Sequence, residues 1–265
     1  MPMRSADFRD SVPPAYGPTD ARVVKILGVR IANLHTIEAV AYMQKLIWVA
    51  SPCARAVYLV NAHTLNLACD DPDYRSVLNG ADAVFGDGTG VRWAARWQGK
   101  KMIANLVGTD LLPYFFVNTT ERAYRYFLFG ARPDVVARAA ENLPTRFPGL
   151  NVVGCQHGHY PQAEHDAVVA RINAARPDVL MVGMGNPIQE RWIHDNRERL
   201  TGVKLAIGVG GLFDHWGGVL KRAPMWVRRN GFEWVQLMLQ QPHKWRRYLV
   251  GNPKFLARVA RDTWL

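Results

Sequence analysis

Residues 177–200 read PDVLMVGMGNPIQERWIHDNRERL, and this segment indicates the fold class most clearly. Its first nine residues form a short apolar run typical of a strand buried on both faces. A Gly-Asn-Pro turn comes next, and PIQERWIHDNRERL then has the spacing of an amphipathic helix. The stretch therefore predicts a buried strand that runs directly into a helix.

The same pattern recurs along the chain. Six more short apolar runs, rich in β-branched residues, are VVKILGVRI (23–31), AVYLVNA (56–62), ADAVFG (81–86), YRYFLFG (124–130), LNVVGC (150–155) and VKLAIGVGG (203–211). Helix-like stretches separate most of them. Alternating strands and helices predict βαβ units, and hence a Rossmann-like α/β fold: a mostly parallel sheet with helices on both faces.

Composition divides the chain into three parts. Residues 1–22 have no apolar core and predict a flexible leader, whereas 23–212 predict the α/β core. Residues 213–265 predict a basic, aromatic, helical appendage. The three cysteines lack disulfide or metal-ligand spacing, so a reducing cytoplasm and no metal site are expected. No apolar run reaches the 18 or so residues that a membrane span needs.

Positive charge is concentrated at the C-terminal end. Residues 221–265 contain ten Lys or Arg and two acidic residues, which is +8 of the total net charge of +11. Several Trp residues lie among these cations, a composition suited to an anionic membrane surface. Nucleic-acid binding and a merely solvated basic face are the alternatives, although no nucleic-acid-binding module is visible elsewhere.

Polar and glycine residues come directly after several predicted strands. Because parallel strands bring their carboxyl ends to one edge of a sheet, these residues should meet there. They are Asn61 and His63, Asp87 with Gly88, Gly185 with Asn186 and Gln189, and Gly210 with Asp214. Glycines let backbone approach a ligand, and helix N-termini attract phosphate, so a nucleotide diphosphate is the expected ligand. Asn186 is a candidate N-cap, with Pro187 as the first helical residue.

Common nucleotide motifs are incomplete. The glycines at 86, 88 and 90 and at 208, 210 and 211 do not complete the dinucleotide fingerprint GxGxxG. The P-loop ending GK[ST] and the hydrolase elbow GxSxG are also absent. Two functions stay open on these residues: a nucleotide-dependent oxidoreductase, and a non-enzymatic nucleic-acid-binding protein that uses the basic tail.

Several ordered motifs carry a family resemblance. They are DGTGVRWAARWQG (87–99), LVGTDLLP (106–113), PDVLMVGMGNPIQERWI (177–193), GVGGLFDHWGG (208–218), KRAPMWVRRNGFEWV (221–235) and QQPHKWRRYL (240–249). Together they resemble the WecG/TagA/CpsF bacterial glycosyltransferases, glycosyltransferase family 26. The resemblance implies an inverting, metal-independent enzyme without a cofactor, which moves a sugar from UDP to a polyprenyl-diphosphate-linked sugar. It also implies peripheral attachment to the inner face of the cytoplasmic membrane.

The resemblance implies roles for individual residues. Asp87 matches the family's general base. Gln189 matches its active-site glutamine, which is expected to hydrogen-bond donor or acceptor hydroxyls. Donor-binding positions are Asn61, Gly88, Gly185, Asn186, Gly210 and Asp214, the last as a contact to uridine or, alternatively, a cap of the following turn. Basic positions facing the diphosphate or lipid are Arg222, Lys244 and Arg247.

Departures from the family pattern bear on the substrate. Asn105, Leu237 and Leu59 replace two arginines and a threonine that family members often carry. The segment NLVGTDL (105–111) resembles exopolysaccharide members. UDP-glucose and UDP-N-acetylmannosamine both stay candidates for the donor, and the sequence is compatible with a homo-oligomer.

Overall fold

A computed structural model describes residues 22–229 and 233–264. The leader predicted over 1–22 lies, except for its last residue, outside the described residues. The strands are β1 (Val23–Ile26), β2 (Val29–Ala32), β3 (Arg55–Val60), β4 (Ala83–Gly86), β5 (Arg125–Gly130), β6 (Asn151–Gln156), β7 (Val179–Gly183) and β8 (Leu205–Gly208). They form one sheet in the order β1-β2-β4-β3-β8-β7-β5-β6.

Helices connect and cover these strands. In chain order they are α1 (Thr36–Trp48), α2 (Ala62–Asp70), α3 (Pro72–Asn79), α4 (Thr89–Trp97), α5 (Gly108–Thr119), α6 (Pro133–Arg146), α7 (His165–Ala175), α8 (Ile188–Asn196), α9 (Leu212–Trp216), α10 (Met225–Arg229), α11 (Glu233–Gln240), α12 (Trp245–Leu249) and α13 (Gly251–Trp264). All neighbouring strands pair in parallel except β1 and β2. The predicted α/β fold with a mostly parallel sheet is therefore confirmed.

The first predicted strand was wrong in one respect. VVKILGVRI forms two antiparallel strands, in which Ile26 pairs with Val29. The turn between them consists of Leu27 (φ 48°) and Gly28 (φ 82°). Two consecutive residues with positive φ form the turn whose twist matches an antiparallel hairpin. The prediction did not use Gly28 as a turn signal within this run, so the sheet has eight strands rather than seven.

Strand side chains point alternately to two hydrophobic cores. In β3, Tyr58 joins the core beneath α2, α3, α8 and α13, whereas Val57 and Leu59 join the core beneath α1, α5 and α6. Residues 179–182 of β7 are completely buried because helices cover both faces of the sheet at that strand. This arrangement explains why β7 is apolar without alternation.

The last helix belongs to the packing of the core. Phe255 and Val259 of α13 are buried in the cluster that also contains Leu65 of α2. Asn66 Nδ2 donates to the Gly251 carbonyl oxygen at 2.7 Å, which ties α2 to the start of α13. The domain boundary at residue 212 stays a prediction, but a cut there would remove side chains from the core.

Substitution Phe255→Ala is expected to lower the free energy of unfolding by about 3–5 kcal/mol, because it leaves a cavity under α13. Leu249→Ala is the matched control, since Leu249 is 51% exposed in α12, and its effect should stay within about 0.5 kcal/mol. Urea unfolding followed by circular dichroism measures both. A loss below about 1 kcal/mol for Phe255→Ala would show that α13 is not part of the cooperative core.

Candidate functional site

A cavity of about 1090 Å³ opens at the carboxyl edge of the sheet. Strands β4, β3, β8 and β7 are neighbours and parallel, so the residues after Gly86, Val60, Gly208 and Gly183 meet there. Arg228 and residues between 233 and 256 also line the cavity. Of the predicted site residues, the lining contains Asn61, Asp87, Gly88, Gly185, Asn186, Gln189, Gly210, Asp214, Lys244 and Arg247.

The loop after β4 presents Asp87 to this cavity. The Asp87 amide donates to the Val60 carbonyl oxygen at 2.8 Å, which continues the sheet by one hydrogen bond. Gly88 has a φ of 101°, a conformation that favours glycine, and α4 begins one residue later. The Gly88 amide donates to Asn105 Oδ1 at 2.9 Å. Asn105 therefore holds the loop beside Asp87 in place.

The carboxyl of Asp87 is unusually basic. Burial raises its pKa to about 7, and the negative charge of Glu233 contributes in the same direction. The Arg247 guanidinium and a hydrogen bond from the Gly108 amide oppose that shift. A carboxylate with a pKa near neutrality can accept a proton from a hydroxyl far better than an ordinary aspartate can. This raised pKa suits the predicted role of Asp87 as general base, which stays a prediction.

Asn61 lines the cavity and also caps the helix that begins at the next residue. It is the N-cap of α2, where its Oδ1 accepts from the amides of His63 at 3.0 Å and Thr64 at 3.3 Å. Arg247 Nη2 also donates to this oxygen, at 3.4 Å. Asn61 therefore fixes the start of α2 and links it to the basic segment across the cavity.

The predicted N-cap of α8 was wrong. The helix begins at Ile188, with Pro187 as its N-cap, and the peptide bond between Asn186 and Pro187 is cis. The Asn186 side chain does not accept a backbone hydrogen bond; its Nδ2 donates to Glu190 Oε1 at 2.6 Å. The buried Glu190 carboxylate requires hydrogen-bond donors, and the Asn186 side-chain amide is one of them.

Gln189 lies in the first turn of α8, as expected, but it is buried. Its Oε1 accepts from the Gly210 amide at 2.9 Å, and its Nε2 donates to Glu190 Oε1 at 2.7 Å. The side chain therefore ties the loop after β8 to α8. Its predicted contact with substrate hydroxyls stays a prediction.

Two acidic residues of the site were missed by the sequence reasoning. Glu190 is the next residue after Gln189. A glutamate in the first turn of a helix usually lies on the surface, where its negative charge interacts favourably with the helix dipole. In the structure Glu190 is completely buried, and burial raises its pKa. Glu233 lines the cavity, and burial raises its pKa as well. No local pattern marks either position, because burial depends on the assembled fold.

Asp214 lies in the short helix α9 and lines the cavity. Its carbonyl oxygen accepts from the amides of Val219 at 2.8 Å and Leu220 at 2.9 Å, so its main chain closes the following turn. The side chain is not needed for that turn. The contact of the Asp214 carboxylate with uridine stays a prediction.

The C-terminal segment contributes positively charged side chains to the cavity. Lys244 Nζ donates to Gln241 Oε1 at 2.8 Å, and the Arg247 guanidinium lies over the Tyr248 ring at 5.7 Å. Burial and the nearby Arg247 charge lower the pKa of Lys244. His63 lies beside both cations; burial and their charges lower its pKa to about 4, so it is neutral near pH 7.

Several other basic residues of the tail are paired with aspartates. Arg222 is not part of the cavity lining; its Nη2 lies 2.6 Å from Asp110 Oδ2. Lys254 Nζ lies 3.1 Å from Asp70 Oδ2, and Arg258 pairs with the same carboxylate. The predicted role of Arg222 toward diphosphate or lipid stays a prediction. Within residues 22–229 and 233–264, no group of three His, Cys, Asp or Glu is placed to hold a metal ion.

Known proteins are similar in sequence to this chain. The model of the glycosyl transferase WecG/TagA/CpsF family matches residues 24–265. An N-acetylglucosaminyldiphosphoundecaprenol N-acetyl-beta-D-mannosaminyltransferase from Bacillus spizizenii strain W23 is 34% identical over 194 residues, which cover 73% of this chain and 74% of that protein. A protein of the same name from Bacillus subtilis strain 168 is 27% identical over 237 residues, or 89% and 91% of the two chains.

The family match extends over nearly the whole described structure. It includes the loop with Asp87, the start of α8 and the cationic segment, all of which line the cavity. Parts of the motifs that carried the resemblance in the sequence therefore meet at this cavity. The chain belongs to the WecG/TagA/CpsF family and is a glycosyltransferase.

Proposed function

We propose that this enzyme transfers a sugar from a UDP donor to a polyprenyl-diphosphate-linked sugar, with inversion at the anomeric carbon. The observation that carries the proposal is the meeting of Asp87 with Lys244 and Arg247 in one cavity. Sugar transfer needs a base for the acceptor hydroxyl and positive charge for the leaving diphosphate. The cavity contains both.

Asp87 acts as the base in this reaction. As the acceptor oxygen bonds to the anomeric carbon, its proton passes to the Asp87 carboxylate. The bond between that carbon and the diphosphate oxygen breaks, and UDP leaves with the electron pair. With a pKa of about 7, Asp87 is deprotonated in a large fraction of molecules near neutrality and still holds a proton well.

Lys244 and Arg247 stabilise the departing UDP. Negative charge grows on the β-phosphate as the bond to the sugar breaks, and fixed cations in a partly buried cavity stabilise that charge strongly. A reaction without a metal ion depends on such side chains. Asp214 and Asn61 bind the nucleotide portion, and Gly88, Gly185 and Gly210 leave space for the sugars.

The donor is UDP-N-acetylmannosamine in this proposal. Both Bacillus relatives are named as N-acetylmannosaminyltransferases that act on an N-acetylglucosaminyl-diphospho-undecaprenol, and these names favour that donor and acceptor over UDP-glucose. The NLVGTDL segment favours a role in exopolysaccharide synthesis. The family assignment also favours a transferase over an oxidoreductase or a nucleic-acid-binding protein.

The enzyme works at the inner face of the cytoplasmic membrane in this proposal. None of the helices in the described ranges could cross a bilayer. The C-terminal segment does expose large apolar side chains beside its cations: Met225, Trp226, Leu239, Trp245, Leu249 and Val250. Such a surface suits contact with anionic lipid, which would bring the cavity to the polyprenyl substrate.

UDP release tests the proposal. The enzyme is mixed with UDP-N-acetylmannosamine or UDP-glucose and with a polyprenyl-diphosphate-linked N-acetylglucosamine in anionic vesicles. We expect UDP release that requires the acceptor and occurs with the first donor. Release with UDP-glucose alone would contradict the assigned donor, and no release with a wider panel of UDP-sugars would contradict the proposed reaction.

A further inference from the structure

A buried polar cluster lies directly under the floor of the cavity. Its centre is the Glu190 side chain, whose Oε1 accepts from Asn186 Nδ2 at 2.6 Å and from Gln189 Nε2 at 2.7 Å. Its Oε2 accepts from the Tyr74 hydroxyl at 3.0 Å. Asn186 and Gln189 belong to the cavity lining, whereas Glu190 does not.

The cluster reaches the loop after β8 through Gln189. Gln189 Nε2 is bound to Glu190, and its Oε1 accepts from the Gly210 amide at 2.9 Å. Gly210 has a φ of 56° and also lines the cavity. One buried carboxylate therefore orients two side-chain amides and, through one of them, a backbone amide at the site.

Other elements pack closely against the cluster. A Cβ on Gly208 would lie 3.0 Å from Gln189 Nε2 and 3.5 Å from Glu190 Oε1, so β8 passes directly over these groups. On the other side, the Tyr58 hydroxyl donates to the Glu190 carbonyl oxygen at 3.1 Å and holds its main chain. A completely buried carboxylate is costly, and its three side-chain partners here are neutral. Stability alone would favour an apolar residue at this position.

We propose that Glu190 is a positioning residue of the glycosyltransferase, which fixes Asn186, Gln189 and the Gly210 loop in the geometry that the reaction needs. It acts through these groups and exchanges no proton with the substrates. Only the kinetic part of its test rests on the proposed function.

Three variants test this role. Glu190→Met introduces a side chain of similar size that has no carboxylate. We expect kcat/KM to fall about 100-fold, because the Asn186 and Gln189 side chains lose their orientation. Glu190→Gln keeps an acceptor for both amides and can donate to Tyr74, so it should restore kcat/KM to within about threefold of wild type. Tyr58→Phe is the matched control: it removes a hydrogen bond to the Glu190 main chain, lowers Tm, and leaves kcat/KM within about threefold.

Amide hydrogen exchange gives a readout that needs no substrate. We expect exchange in residues 208–214 to be about tenfold faster in Glu190→Met than in wild type, because the Gln189 contact to Gly210 is lost, and unchanged in Tyr58→Phe. Unchanged exchange in Glu190→Met overturns the proposal. If Glu190→Gln loses as much activity as Glu190→Met, the carboxylate takes part in proton transfer and the positioning role is wrong.

A further variant tests the proposal if Glu190→Met does not fold. Glu190→Asp keeps a carboxylate but withdraws it by one methylene, so kcat/KM should fall at least about tenfold and exchange in 208–214 should rise. Wild-type values in both measurements overturn the proposal. Absence of UDP release from the wild-type enzyme would contradict the proposed reaction instead, and the exchange comparison would still decide the role of Glu190.

Discussion

Substitution Asp87→Asn is expected to lower kcat by about 10³-fold, the largest effect of any single change in the site. Asn has the shape of Asp and can still accept the hydrogen bond from the Gly108 amide, but it cannot take a proton. The affinity for UDP should therefore stay within about threefold of wild type. Steady-state kinetics with saturating acceptor, together with calorimetric titration of UDP, measure the two effects.

The pH dependence of the wild-type enzyme depends on the same residue. Asp87 must be deprotonated to act, and its pKa is about 7, so kcat/KM should fall about tenfold per pH unit as the pH drops below that value. Glu233→Gln is a matched control that removes another carboxyl from the cavity. This variant should keep kcat at pH 8 and move the acid limb of the pH–rate profile to lower pH, because loss of a negative neighbour lowers the pKa of Asp87.

If the Asp87→Asn variant keeps more than a tenth of the wild-type kcat, Asp87 is not the base.

Substitution Arg247→Gln is expected to lower kcat by about 100-fold, since the leaving diphosphate loses one of the two cations that face it. The side chain lies on Tyr248 and reaches toward Asn61 across the cavity, which holds its charge in a fixed place. Arg247→Lys keeps a charge without the planar fork and should recover part of the loss. The rate is measured with saturating donor and a short-chain, water-soluble acceptor, so that membrane binding does not contribute.

Arg246→Gln is the matched control for this prediction. Arg246 is the preceding residue, carries the same charge, lies over the Trp245 ring at 5.4 Å and is not part of the cavity lining. With the soluble acceptor its kcat should equal that of wild type. Equal losses in the two variants would mean that the net charge of the segment matters and that Arg247 has no specific contact with the diphosphate.

The fold class and the place of the candidate site follow from local sequence patterns. Apolar runs such as 179–183 have the length and composition of strands buried on both sides, and this information is local. Parallel strands then bring the residues at their carboxyl ends to one edge, so Asn61, Asp87 and Gln189 could be placed together before any coordinates. The reaction itself came from the resemblance of motifs, since glycine-rich turns alone did not distinguish a transferase from an oxidoreductase.

Which groups are buried, and which charges surround them, depends on the assembled fold. Glu190 looks like an ordinary residue of a first helical turn, yet strands and helices distant in sequence enclose it. The pKa of Asp87 depends on burial, on Glu233 and on Arg247, which lie about 150 residues away along the chain. Desolvation and Coulomb interactions act through space and add over the whole fold, whereas sequence periodicity reports only on neighbours along the chain.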